Sequence, residues 1–89
     1  MLTPSYTKQF AKDFKRMQKR GKSTEKIKKI IRKLVNEEPL AASYKEHNLI
    51  GNFKGRRECH IEPDWLLIYK IVEPEIIFER TGTHSDLFE

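Results

Sequence analysis

The stretch RRECHIEPDWLLIYKIV, residues 56–72, decides the fold. Over residues 56–62 the side chains alternate: Arg57, Cys59 and Ile61 point one way, and Arg56, Glu58, His60 and Glu62 the other. A period of two with unlike faces is the mark of a β-strand that covers a core on one side. Pro63-Asp64 then makes a tight turn, because proline presets φ and aspartate bonds to nearby backbone. Residues 65–72 are rich in aliphatic and aromatic side chains, as a central strand should be.

Downstream, Glu73-Pro74 turns the chain again and residues 75–81 return as a last strand. Upstream, residues 48–50 read as a short strand, with Gly51 and Gly55 punctuating the link. Residues 2–6 form an opening strand. From Thr7 the period becomes helical: Phe10, Phe14 and Met17 recur at i, i+4 and i+7, with Ala11 beside them and lysines elsewhere. Gly21 supplies the stop, and Ser23 or Thr24 a cap for a second helix. That helix carries Ile27, Ile30, Ile31, Leu34 and Val35 on one stripe and ends over residues 36–39. Helices joined this tightly are nearly antiparallel neighbours. The expected fold is α+β: an N-terminal strand and a two-helix hairpin on one face of a mostly antiparallel sheet of four or five strands. The other face is expected to have no second layer, and function is sought there.

Eighty-nine residues make one domain, 1–89. Charged residues make up 35% and hydrophobic ones 37%, with a mean hydropathy of −0.73, and no window approaches the roughly 18 unbroken apolar residues of a membrane span. The first residues lack a secretory h-region, and Cys59 is the only cysteine, which excludes an internal disulfide framework. The cytoplasm is the expected compartment. The net charge of +5 hides a sharper division: residues 1–36 hold twelve Lys and Arg against Asp13 and Glu25, a net of +10. A basic face able to collect polyanions is expected, although a charged hairpin that merely stays soluble has the same composition.

His47, His60 and His84 all lie in the strand-rich part, with Asp64 and Arg80 among them. Imidazole takes and gives protons near neutrality. RNA cleavage without a metal needs both acts, at the 2′-hydroxyl and at the departing 5′-oxygen, and a cation to offset charge on phosphorus; Arg80 suits that task. DNA, lacking the 2′-hydroxyl, would be inert. Each residue also has a plain reading: His60 as a cross-strand partner of its neighbours, Asp64 as a turn residue, Arg80 as a partner of cross-strand carboxylates, Phe88 as cover for a sheet edge, Trp65 as core or rim rather than a base-stacking platform, able to do both if one ring face is exposed. Zinc on the three histidines has the open geometry of a catalytic site but no local ligand spacing, so no metal or other cofactor is expected.

Three segments carry a family resemblance: Tyr44 to Gly55, Arg57 to Tyr69 with its H-I-E-P-D-W, and Phe78 to Phe88 with its R-T-G-T-H. Together with the preceding basic hairpin they resemble the YafQ branch of the RelE toxins over essentially the whole chain. The resemblance implies an endoribonuclease toxin of a type II toxin–antitoxin pair that cleaves messenger RNA on the ribosome. By position, it implies an acid/base group at His47, His60, Asp64 and His84, a phosphate-stabilising Arg80 and a C-terminal aromatic at Phe88. His84 is the expected general acid, with His60 or His47, oriented by Asp64, on the base side. The implied partners are messenger RNA, ribosomal RNA and a cognate antitoxin that wraps the toxin, with no membrane. Lys15, Arg16, Lys19, Arg20, Lys22, Lys54, Arg56 and Trp65 are the expected RNA-binding residues. The competing reading is a basic RNA- or ribosome-binding module without catalysis.

Overall fold

The structure, a computed structural model, describes residues 1–49 and 55–88. Its elements run β1 (Thr3–Tyr6), α1 (Lys8–Lys19), α2 (Thr24–Val35), a 3-10 turn (Ala42–Tyr44), β2 (His47–Asn48), β3 (Arg57–Glu62), β4 (Trp65–Val72), β5 (Glu75–Gly82) and α3 (His84–Phe88). The sheet order is β1-β5-β4-β3-β2. β1 is parallel to β5, and every other pairing is antiparallel. Of the strand expected over residues 48–50, the structure shows His47–Asn48; Ile50, Gly51 and Lys54 lie outside the described residues.

Local chemistry sets the helix ends. The Thr7 hydroxyl accepts from the Phe10 amide at 2.9 Å, the N-cap bond that satisfies a first-turn donor. At the other end Gly21 takes φ +85°. The amides of Gly21 and Lys22 then donate back to the Gln18 and Met17 carbonyls, a Schellman stop that only a residue at ease with positive φ can make. Ser23 occupies the N-cap of α2 without a side-chain bond.

The helix-facing side of the sheet is the core. Phe10, Met17, Ile27, Ile30 and Leu34 from the helices pack on Cys59, Ile61, Trp65, Leu67, Tyr69, Ile76 and Phe78 from the strands. Each large side chain so enclosed contributes about 1.5–3 kcal/mol from burial. The opposite face is not bare, contrary to the expectation from sequence. Leu66 and Ile68 of β4 meet Leu87 of α3, with Leu49 packed alongside. Five residues, too few to show a helical period, carry one leucine that shields those β4 side chains from water.

β1 ends at Tyr6, opposite Phe78, so β5 runs on with an open edge. Thr7 closes part of it by donating its hydroxyl to the Glu79 carbonyl at 2.8 Å. Asp13 of α1 closes more, accepting from the Thr81 amide at 3.2 Å. α1 therefore replaces a neighbouring strand here, and a carboxylate replaces its carbonyl.

Candidate active site

Alternation places Glu58 and His60 on the sheet face opposite Cys59 and Ile61, and register places His47 directly across from Glu58. α3 starts immediately after β5 and brings His84 beside them. The His47 and His60 ring centroids are 6.2 Å apart, those of His60 and His84 5.8 Å, and those of His84 and Phe88 6.3 Å.

Each of two imidazoles has its own carboxylate. Glu58, buried at 4% exposure, places one oxygen 3.0 Å from His60 Nε2, at ion-pair distance, and the same oxygen lies 3.9 Å from His47 Nε2. Asp64 accepts from His84 Nδ1 at 2.6 Å and from the His84 amide at 2.9 Å. Those bonds, the backbone one foremost, hold its carboxyl below the ordinary range. Asp64 thus orients His84, whereas the sequence reading assigns it to His60 or His47; the Pro63-Asp64 turn points at the start of α3. The tautomers read from these bonds are complementary. For His60, the carboxylate of Glu58 3.0 Å from Nε2 favours a proton there and leaves Nδ1 as the acceptor. His84 gives its Nδ1 proton to Asp64 and keeps Nε2 for exchange. His47 Nδ1 donates to the Lys45 carbonyl at 2.7 Å.

Arg80 sits in the same row of the sheet as Glu58, with Ile68 between them. That separates their backbones by roughly 10 Å, two strand spacings. Its guanidinium is held by fully buried Asp13, Nε at 2.7 Å and Nη2 at 3.3 Å, which leaves the Nη1 corner without a partner among the described residues. Asp13 also accepts from Arg16 at 2.9 Å. Arg16 reaches Asp86 at 3.2 Å, and Arg20 binds Asp86 through both terminal nitrogens, at 2.7 and 3.1 Å. Asp86 accepts from the Thr83 amide as well. A Cβ on Gly82 would lie 2.9 Å from its Oδ2, so the R-T-G-T-H segment needs glycine there. The chain Arg80–Asp13–Arg16–Asp86–Arg20 ties β5 and α3, with His84 and Phe88, to α1.

Of the expected RNA-binding residues, Lys15 and Lys19 are exposed on α1. Arg16 and Arg20 belong to the charge chain, Lys22 is bound to Glu62 at 2.7 Å, and Arg56 is paired with Glu79. Lys54 lies outside the described residues. Trp65 corrects the sequence reading: at 1% exposure it has no free ring face and serves the core, its indole donating to the Thr81 hydroxyl at 2.9 Å. Cys59 is equally enclosed, and burial pushes its thiol up to about 12. A metal, if held, would take one atom each from Glu58, His60 and His84, which lie within 4.8 Å of one another; Glu58 stands where the three-histidine reading has His47. Glu58 and Asp13 are the site residues that sequence reasoning misses. Glu58 is findable, since it shares the His60 face at i, i+2.

The family of bacterial toxins of type II toxin–antitoxin systems named YafQ matches residues 2–89. The chain belongs to the YafQ family. The mRNA interferase toxin YafQ of Escherichia coli K12 is 50% identical over 84 residues, covering 93% of this chain and 91% of the relative. The crystal structure of YafQ from E. coli BL21(DE3) superposes with a TM-score of 0.95 at 46% identity over 100% of both chains. YafQ in the crystal structure of the E. coli DinJ-YafQ complex does so with 0.93 at 47%, again over 100% of each. The α+β architecture read from the sequence is that of YafQ, and no helix among the described residues is long and apolar enough to cross a membrane.

Proposed function

We propose that the chain is the toxin of a type II toxin–antitoxin pair, an endoribonuclease that inhibits translation by cleaving messenger RNA in the cytoplasm, on the ribosome. Its partner is a cognate antitoxin, as the DinJ complex of a 47%-identical relative indicates, and the 50%-identical relative bears the name mRNA interferase toxin. The observation that carries the mechanism is the pair of imidazoles 5.8 Å apart, each with a carboxylate beside one nitrogen, Nε2 in His60 and Nδ1 in His84.

His60, steadied by Glu58, takes the 2′-hydroxyl proton on Nδ1. The 2′-oxygen attacks the adjacent phosphorus. Charge grows on the phosphoryl oxygens, and the open corner of Arg80 offsets it. The 5′-oxygen departs with the Nε2 proton of a doubly protonated His84, whose positive ring Asp64 faces, leaving a 2′,3′-cyclic phosphate and a 5′-hydroxyl. His47 shares Glu58 with His60, and Phe88 stands beside His84 as a surface for a base. The reaction needs no metal, because both proton transfers and the charge stabilisation come from side chains.

The test is to map RNA ends on messages under translation. Cleavage that yields 5′-hydroxyl ends, proceeds undiminished with toxin freed of transition metals before it is added to the Mg2+-containing translation reaction, and disappears in His84→Gln supports the assignment. Growth inhibition without new ends would leave only a basic ribosome-binding module.

A further inference from the structure

Beside the imidazole cluster lies a cleft that the mechanism does not use. It encloses about 360 Å³ and is lined by Ser43, Tyr44, Lys45, His60, Ile61, Glu62 and Pro63. That volume is at the small end of the roughly 300–1,000 Å³ typical of small-ligand pockets, which suits one planar ring system better than a folded peptide. We infer that this cleft is a nucleobase subsite, occupied by a base of the RNA strand next to the scissile phosphate, and that it sets base preference at the cut. The inference rests on the proposed ribonuclease reading.

Three observations carry it. First, His60 belongs to both places: it lines the cleft and faces His84, so a base in the cleft is contiguous with a phosphate at the imidazoles. Second, the lining has the make-up that single-stranded RNA recognition requires, an aromatic and aliphatic surface with a few polar groups at its rim. Tyr44 packs partly on the core, which fixes its ring, while Ser43 and Lys45 are exposed. Third, the one carboxylate in the lining is neutralised. Glu62 is bound by Lys22 at 2.7 Å and Lys26 at 2.8 Å, and these ammonium groups hold its carboxyl below the ordinary range. A polyanionic strand therefore meets net positive charge there.

The backbone supports the same assignment. Lys45 has φ +47° and ψ +47°, a left-handed conformation that is unfavourable for a non-glycine residue. It turns the Lys45 carbonyl onto His47 Nδ1 and closes one end of the cleft, so a single strained residue ties the wall of the subsite to the histidine cluster.

The experiment has two arms. In the first, cleavage sites on translated messages are mapped for the parent, Ser43→Ala, Tyr44→Phe, Tyr44→Leu and Lys45→Gly. Tyr44→Leu retains apolar packing and removes the stacking face, while Lys45→Gly retains the left-handed turn and removes the ammonium. Without base–aromatic stacking, which every base can make, cleavage is expected to fall by about tenfold at all sites in Tyr44→Leu, with Tyr44→Phe near the parent. Ser43→Ala and Lys45→Gly, which lose polar groups able to meet base edges, are expected to flatten the base profile. In the second arm, amide shifts of the protein are followed by NMR during titration with a trinucleotide whose 2′-hydroxyls are O-methylated and which therefore cannot be cut. Shifts are expected at residues 43–45 and 60–62, and weaker ones in Tyr44→Leu. A parent that cuts messages while Tyr44→Leu retains its rate and Ser43→Ala and Lys45→Gly retain its base profile overturns the subsite alone, as do shifts that leave 43–45 unmoved. A parent that cuts no message overturns the ribonuclease reading itself.

Discussion

The two faces of β3 and β4 are made by neighbouring residues of the same strands, yet they do different work. On one, Cys59, Ile61, Leu67 and Tyr69 are sealed under α1 and α2. On the other, Glu58 and His60 are joined by His47 and His84, beside a small apolar patch of Leu66, Ile68 and Leu87 with Leu49 against it. The first face obtains stability from buried area. The second retains polar groups near water, and each is held by a specific partner: His60 by Glu58, His84 by Asp64, Arg80 by Asp13. A small protein can thus separate folding from chemistry by alternation alone, provided that something outside the strands positions the polar groups. Here α3 and α1 do so.

If the division is real, changes on one face should leave the other's property alone. The largest expected effect is on chemistry: His84→Gln should lower cleavage by about 10²–10⁴-fold, the usual contribution of a positioned acid or base, with the thermal midpoint unchanged because the side chain is exposed. A shifted midpoint would show that His84 also serves the fold. On the opposite face, Leu67→Ala should cost about 2–5 kcal/mol in a denaturant titration, while the activity of the molecules that remain folded stays near the parent's.

How far each face is legible in the sequence follows from the same contrast. The core face is readable throughout, because burial imposes a period: Phe10 and Met17, Ile27, Ile30 and Leu34, then Cys59 and Ile61 all carry the pattern of their elements. For the polar face, residue chemistry and family resemblance name the histidines, Asp64, Arg80 and Phe88, but not their pairing. Which imidazole Asp64 holds depends on where a five-residue helix begins, and Asp13 meets Arg80 across 67 residues of chain; neither leaves a local mark. Trp65, read rightly as core, is also named for RNA binding for a related reason. Its neighbours suggest a central strand, but only the packing shows that no ring face is open.

Asp13 tests whether the two faces are coupled after all, since it is buried with the core and yet holds Arg80. Asp13→Asn should destabilise by about 1–3 kcal/mol through weakened charge-assisted hydrogen bonds and lower cleavage as well. Arg80→Ala should then cost less in the Asp13→Asn background than alone, which a double-mutant cycle measures. Independent effects would mean that Asp13 is structural only.

Asp86 extends the test to pH. The hydrogen-bonded Arg20 guanidinium, helped by the Thr83 amide and working against burial, holds its carboxyl well below the ordinary carboxylate range. A folded-state value below the unfolded one means stability fully present above about pH 4 and lost as acid protonates the group. Asp86→Asn should therefore lower the melting temperature at neutral pH, and parent and variant should draw together as the pH falls from about 4 toward about 2. Curves that stay parallel across that window would show that the pair contributes no net stability.

The smallest effect is expected on α1, where neither face of the sheet is involved. Lys15 and Lys19 are exposed, whereas Arg16 and Arg20 on the same helix are held in the charge chain. Only the lysines can meet ribosomal RNA phosphates without first breaking an internal ion pair. Such binding shows up as salt dependence, because each phosphate neutralised releases counterions. Lys15→Glu with Lys19→Glu should weaken ribosome association and flatten its dependence on log salt by about one unit for each phosphate that is no longer neutralised. Stability should not change, and neither should base preference at the cut, since both residues are remote in sequence from the Ser43–Lys45 wall and the imidazoles. Unchanged binding at physiological salt would mean that the positive charge of the hairpin serves solubility, and that the protein reaches its message through the sheet face alone.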